Sequence, residues 1–169
     1  MLAPWLADPT AREQLESLDA CVEFDLLDAG TTWDADRIRD TRIAQPLIFA
    51  TSLVSAYAAL TAHAKPAAVT GHSVGEWCSA VLAGVLTATD AMTLVAARGN
   101  AMALACEEEP TGLCAVLGGD QEEVNEAATA RGLALANNNG PGQLVFGGTR
   151  EQLDSFAASP PAKARIRSL

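Results

Sequence analysis

The order of apolar and polar positions divides the chain into two differently patterned stretches. Helical spacing dominates the first. Residues 4–20 read as a helix ending near Asp19, residues 34–39 as a short one, and the uncharged run from Ile43 as a long one reaching about Ala64. In the short helix the acidic residues come first and Arg37 and Arg39 last, as the helix dipole prefers. Pro46 suits the first turn of the long helix, and Pro66 breaks the chain after it. Ala67 to Thr70 is predicted as a short buried strand, the one confident strand before residue 110. Helices are expected over 74–83, closed by Gly84, and over 87–105, where Thr87 and Asp90 have capping-box spacing.

Past the polar break from Glu107 to Gly112 the pattern changes. Strands are predicted at 113–117, 133–136, 143–146 and 164–169, with helices at 120–130 and 150–158 and an amide-rich loop at 137–142. The order β-α-β-β-α-β is that of a ferredoxin-like unit, so a boundary is placed here, giving subdomains 1–110 and 111–169. The first subdomain lacks something the second has. A buried strand at 67–70 needs neighbours on both sides to satisfy its backbone groups, and residues 1–110 offer none. Either further strands go unread here or the chain is part of a longer protein, and the second reading is preferred.

Composition narrows the classes. The chain has 169 residues and a net charge of −10, and contains no basic block, which argues against nucleic acid. Cys21, Cys78, Cys106 and Cys114 show neither C-x-x-C nor zinc-type spacing; a reduced cytoplasmic thiol set with no metal site is expected. Met1 to Leu6 is too short and lacks the basic start of a signal peptide. The stretch from Ile43 to Ala64 is long enough to approach a membrane span, but Gln45, Pro46, Ser52, Tyr57 and His63 make a buried helix of a soluble core the better reading.

The chemistry centres on Gly71-His72-Ser73-Val74-Gly75. A G-x-S-x-G turn sets its serine on a sharp strand-to-helix bend with the hydroxyl projecting outward. Side chains at either Gly71 or Gly75 are expected to collide across the turn, and the helix start directs N–H groups and a positive dipole end at the serine. Such a site favours charge growing on an oxygen during acyl transfer. A chance glycine-rich turn is the plain alternative. Ser73 needs a base. His72 is its immediate neighbour and is read as pocket wall or local hydrogen-bonding group; His63 lies about 15 Å away at the far end of the strand. No base for Ser73 is visible.

Positions 91, 94, 95, 98 and 102 share a helix face, Ala91, Leu94, Val95, Arg98 and Met102. A guanidinium in that stripe either meets a carboxylate in a two-pronged hydrogen bond or reaches to water from its edge. The loop from Asn137 to Gln143 either binds a polar ligand or is a tight connection. Lys163, Arg165 and Arg167 alternate along the last strand and all point from one face, to dock an acidic partner or simply to face water.

Gly71-His72-Ser73-Val74-Gly75-Glu76, Arg98 one helix later, Asn137-x-Asn139-Gly140-Pro141-Gly142-Gln143 and Thr41-x-x-Ala44-Gln45-Pro46 together resemble the malonyl-CoA:acyl carrier protein transacylases, the acyltransferase family of fatty-acid and polyketide synthesis. The resemblance implies a partial α/β-hydrolase-like large subdomain carrying a ferredoxin-like small one. It implies that Ser73 is malonylated, that the Val74 N–H serves the oxyanion, and that Arg98 grips the malonyl carboxylate. His72 and Asn139 would border the site. Malonyl-CoA and acyl carrier protein are the implied partners, with no cofactor. The family's first strand, its oxyanion glutamine and its base histidine find no counterpart here, so the chain resembles the middle of a transacylase and is expected to be inactive alone. Two rival readings are a serine esterase or thioesterase, and a non-catalytic relic.

Overall fold

A computed structural model describes residues 1–60, 66–108 and 110–169. The chain divides into two compact units, Met1–Leu104 and Ala105–Leu169.

Helices dominate the first unit. The expected helix at 4–20 is split: a 3-10 turn at Trp5–Ala7 precedes α1 (Pro9–Asp19). The split has a local cause, because Asp8 accepts from the Ala11 N–H as N-cap and Pro9 takes the first helical position. The next helix, α2 (Leu26–Ala29), is a single turn capped by Asp25. The helix expected at 34–39 shortens to one 3-10 turn, Arg37–Arg39. Here the Arg37 guanidinium lies 3.2 Å over the Trp33 ring instead of on a helix surface.

The long helix α3 (Thr41–Ala59) begins five residues before Pro46, capped by Asp40, which accepts from Arg42. Pro46 thus sits inside the helix and not in its first turn. It is tolerated within a buried face that also holds Leu47, Phe49, Ala50, Leu53 and Val54. Each fully buried leucine or phenylalanine here contributes about 2 kcal/mol, which outweighs one missing helical hydrogen bond. The end expected at Ala64, and His63 with it, lie outside the described residues. α3 packs on α1, α2 and α4 (Gly75–Leu82), and α5 (Ala88–Glu108) follows. At its start Thr87 and Asp90 do not form the reciprocal capping box. The Asp90 N–H donates to the Thr87 hydroxyl, which in turn donates to the Asp90 carboxylate.

Ala67–Thr70 is not a strand. No ladder partner runs beside it among the described residues, and Ala67, Ala68 and Thr70 are exposed. A hollow of about 690 Å³ flanks it, bordered by Tyr57, Leu60, Val81 and Leu82. Among the described residues no helix is long and apolar enough to cross a membrane.

The second unit is a four-stranded antiparallel sheet with two helices on one face. Its elements are β1 (Thr111–Gly118), α6 (Gln121–Thr129), β2 (Ala134–Asn138), β3 (Gln143–Thr149), α7 (Arg150–Ala158) and β4 (Ala164–Ser168), and the strands lie in the order β2-β3-β1-β4. Period-two alternation sends Cys114 and Val116, Leu144 and Phe146 to the helix side. There they meet Val124, Ala128, Leu133 and Phe156 in a core of their own. Phe146 and Phe156 pack edge to face, 6.0 Å between centroids. Asp120 caps α6, and a full capping box joining Thr149 and Gln152 starts α7.

The amide-rich segment is shorter than a six-residue loop, since Asn137 and Asn138 belong to β2. What remains, Asn139 to Gly142, is a tight hairpin connection: Asn139 N–H donates to Gln143 O and Gln143 N–H to Gly140 O. Gly140 and Gly142 take the positive φ that this turn demands.

Candidate active site

Ser73 lies at the bend between residue 70 and α4, with φ of 54°, a left-handed conformation that side chains other than glycine rarely adopt. The turn closes through Gly75 N–H to His72 O at 3.0 Å and Glu76 N–H to Ser73 O at 3.0 Å. Gly71 is required by space: a Cβ there would lie 2.2 Å from the Gly75 carbonyl oxygen. Gly75 is not, because among the described residues a Cβ there meets nothing within 4 Å. Among the described residues the expected two-sided steric constraint is therefore one-sided.

His72 and Ser73 are both exposed and Val74 is half-buried. Val74 is the N-cap residue of α4, and among the described residues its N–H donates to no protein acceptor. It is one of the unpaired donors that a helix start presents.

Arg98, on α5, reaches this bend. Its Nη2 donates to Ser73 Oγ at 3.1 Å, and its Nη1 donates to Gln45 Oε1 on α3. The stripe that positions Arg98 differs from the sequence expectation. The buried face of α5 is Ala91, Met92, Val95, Gly99 and Ala103, while Leu94 and Met102 are 43% and 38% exposed. The alanine-rich helix leaves its face poorly marked, and Arg98 stands at the edge of it. Gly99 brings α5 onto the start of α3, since a Cβ there would lie 2.6 Å from Thr41 O, and Thr41 Oγ1 donates to Gly99 O at 3.0 Å. That close approach is what allows a side chain from α3 to meet Arg98.

An arginine cannot remove the serine proton, because it stays protonated at any physiological pH. Among the described residues no carboxylate or histidine is hydrogen-bonded to Ser73 Oγ. The arrangement supplies an exposed hydroxyl, an unpaired N–H at a helix start and a fixed positive charge, which together suit an acyl group carrying a carboxylate. Cys78 on α4 is buried, and burial pushes its thiol pKa up, so it offers no competing thiolate. Among the described residues no cluster of His, Cys, Asp or Glu is fit to hold a metal ion.

Asn139 lies in the second unit, exposed at the hairpin. Arg165 and Arg167 are exposed on the sheet face away from the helices, in register with Leu117 and Ala115. Lys163 does not share their strand. It precedes β4 with φ of 58°, so the period-two argument does not reach it. From the sequence Gln45 stands out as a polar residue in an apolar run and as part of a resemblance, with no role in the site assigned to it. Its signal was a lone amide in the apolar run from Ile43.

A family profile for the acyl transferase domain matches residues 6–167. A malonyl CoA-acyl carrier protein transacylase of Mycolicibacterium smegmatis is 46% identical over the whole chain, which covers 59% of that protein. The crystal structure of MCAT from Mycobacterium tuberculosis superposes with a TM-score of 0.92 at 44% identity, over 100% of this chain and 57% of that one. A structure of a type II PKS acyl-carrier protein in complex with its malonyl-transacylase matches with a TM-score of 0.82 at 25% identity, over 100% of this chain and 58% of that one. The chain thus spans somewhat more than half the length of these relatives, and it belongs to the acyl transferase domain family.

Proposed function

We propose that this chain carries the nucleophile and acyl-recognition part of a malonyl-CoA:acyl carrier protein transacylase of fatty-acid or polyketide synthesis. One observation carries the reading: a single guanidinium touches the Ser73 hydroxyl at 3.1 Å. An acyl group esterified to that oxygen therefore has a cation within reach of its far end, which selects malonyl over acetyl.

In the first half-reaction Ser73 Oγ attacks the thioester carbonyl of malonyl-CoA. A base outside the described residues takes its proton, and the tetrahedral oxyanion lies against the Val74 N–H. The C–S bond breaks, CoA leaves as its thiol with that proton, and a malonyl ester remains. In the second, the phosphopantetheine thiol of acyl carrier protein attacks the ester, takes the malonyl group and restores the hydroxyl. His72 is proposed to wall the acyl pocket and Asn139 is proposed as a substrate-binding residue, and no cofactor is needed. Lys163, Arg165 and Arg167 are proposed to meet the acidic carrier protein.

The β-α-β-β-α-β order and the strand order of the second unit support a ferredoxin-like subdomain over residues 111–169. Ser73 at its bend supports a partial α/β-hydrolase-like core over 1–110. The four free cysteines support a reducing, cytoplasmic setting.

The test extends the chain to the length of its relatives and exposes it to malonyl-CoA and acetyl-CoA. Intact mass is expected to show one malonyl adduct, absent from Ser73→Ala. Arg98→Ala is expected to slow malonyl transfer at least about 30-fold more than acetyl transfer. Equal losses would remove the carboxylate role. Free malonate released without carrier protein would make the protein an esterase, and no adduct would make it a non-catalytic relic.

A further inference from the structure

Gln45 is the single buried polar side chain among the described residues, only 6% exposed on the apolar face of α3. Its amide is held at both ends by one helix. Oε1 accepts from Arg98 Nη1, and Nε2 donates to Met102 Sδ at 2.8 Å. Arg98 and Met102 are four residues apart on α5, so they stand on the same side of it. An arginine has donors only, whereas a thioether sulfur accepts and cannot donate. Turning the amide over would set its NH2 against the guanidinium and its oxygen against the sulfur. The amide has one orientation here, and that orientation fixes where Nη1 points. Nη2 is then left towards Ser73 Oγ.

We infer that Gln45 is a positioning residue: clamped by Met102, it aims the Arg98 guanidinium at the acyl group on Ser73 while leaving its positive charge unspent. The inference rests on the transacylase reading. Neutrality is the essential property. A glutamine orients the guanidinium through a hydrogen bond and neutralises none of its charge. A glutamate in the same place would form an ion pair with Arg98 and compete with the substrate carboxylate. An apolar residue would fill the space and leave the guanidinium free to swing.

The experiment measures the rate of Ser73 acylation by intact mass, against malonyl-CoA and acetyl-CoA concentration, in the chain extended to its relatives' length. Gln45→Leu is expected to raise half-saturation for malonyl-CoA about ten-fold with a small change in limiting rate. Gln45→Glu is expected to lower malonylation further, about 30-fold or more, with acetylation nearly unchanged. Met102→Leu keeps the glutamine but removes the acceptor that orients it, and a shift of about three-fold in the malonyl-to-acetyl ratio is expected. It serves as the decisive variant should a Gln45 substitution fail to fold. An unchanged malonyl-to-acetyl ratio in the folded variants would overturn the inference, leaving Gln45 a packing residue. No malonyl adduct on the unsubstituted protein would instead remove the transacylase reading, and the inference with it.

Discussion

In the second unit every strand has a ladder partner and the sheet closes over its own core. In the first, the segment leading to Ser73 has no ladder partner among the described residues and borders an open apolar hollow. The elements of the second unit follow short-range rules, namely period-two strands, capped helices and a tight hairpin, and ladders then join β1 to β3 and β4. The first holds its chemical groups by contacts between helices far apart in sequence, with Thr41 on Gly99, Gln45 on Arg98 and Arg98 on Ser73. In one region long-range order comes from ladders between strands, whereas in the other it is a matter of where two helices cross. Substitutions should therefore act differently in the two.

The largest expected effect is Phe156→Ala. This ring is fully buried against Phe146, and its loss should cost about 3–5 kcal/mol. Hydrogen exchange is expected to accelerate across β1–β4 while α3 amides keep their protection; acceleration in α3 as well would break the contrast between the units. Next comes Gly71→Ala, which drives a Cβ into the Gly75 carbonyl and so displaces the bend. Acylation of Ser73 should fall about 100-fold, as a 1 Å misplacement of a reacting group would produce. Its partner Gly75→Ala meets no obstruction and should alter stability by less than about 1 kcal/mol with acylation retained. A similar loss in both would show that the turn is constrained from both sides. Asp120→Ala, removing a cap that accepts from Glu122 and Glu123, should cost about 1 kcal/mol in thermal or denaturant unfolding, which leaves Gly75→Ala the smallest effect of the set.

How much could be read from the sequence follows the same division. The second unit's elements were legible because helical and alternating patterns succeed one another there in short runs, with Asn-Gly-Pro-Gly at a hairpin. The serine bend was legible as a motif. The strand ahead of it was not, because a strand exists only with a ladder beside it, and apolar residues alone do not supply one. The start of α3 was missed because Pro46 is a strong terminus signal, and burial overrode it. On α5 seven alanines from Ala88 to Ala105 blur the helix face. Arg98 could be suspected, but its pairing with Gln45 depends on Gly99 letting two helices touch, and no periodicity announces that.

The left-handed backbone at Ser73 sets catalysis against durability. At φ of 54° an L-residue costs roughly 1 kcal/mol more than glycine, so the residue best suited to the bend is one with no hydroxyl to acylate. Ser73→Gly should melt higher than the parent while taking up no acyl group at all. Selection for thermal robustness alone would thus pull this position towards a protein that cannot be acylated there.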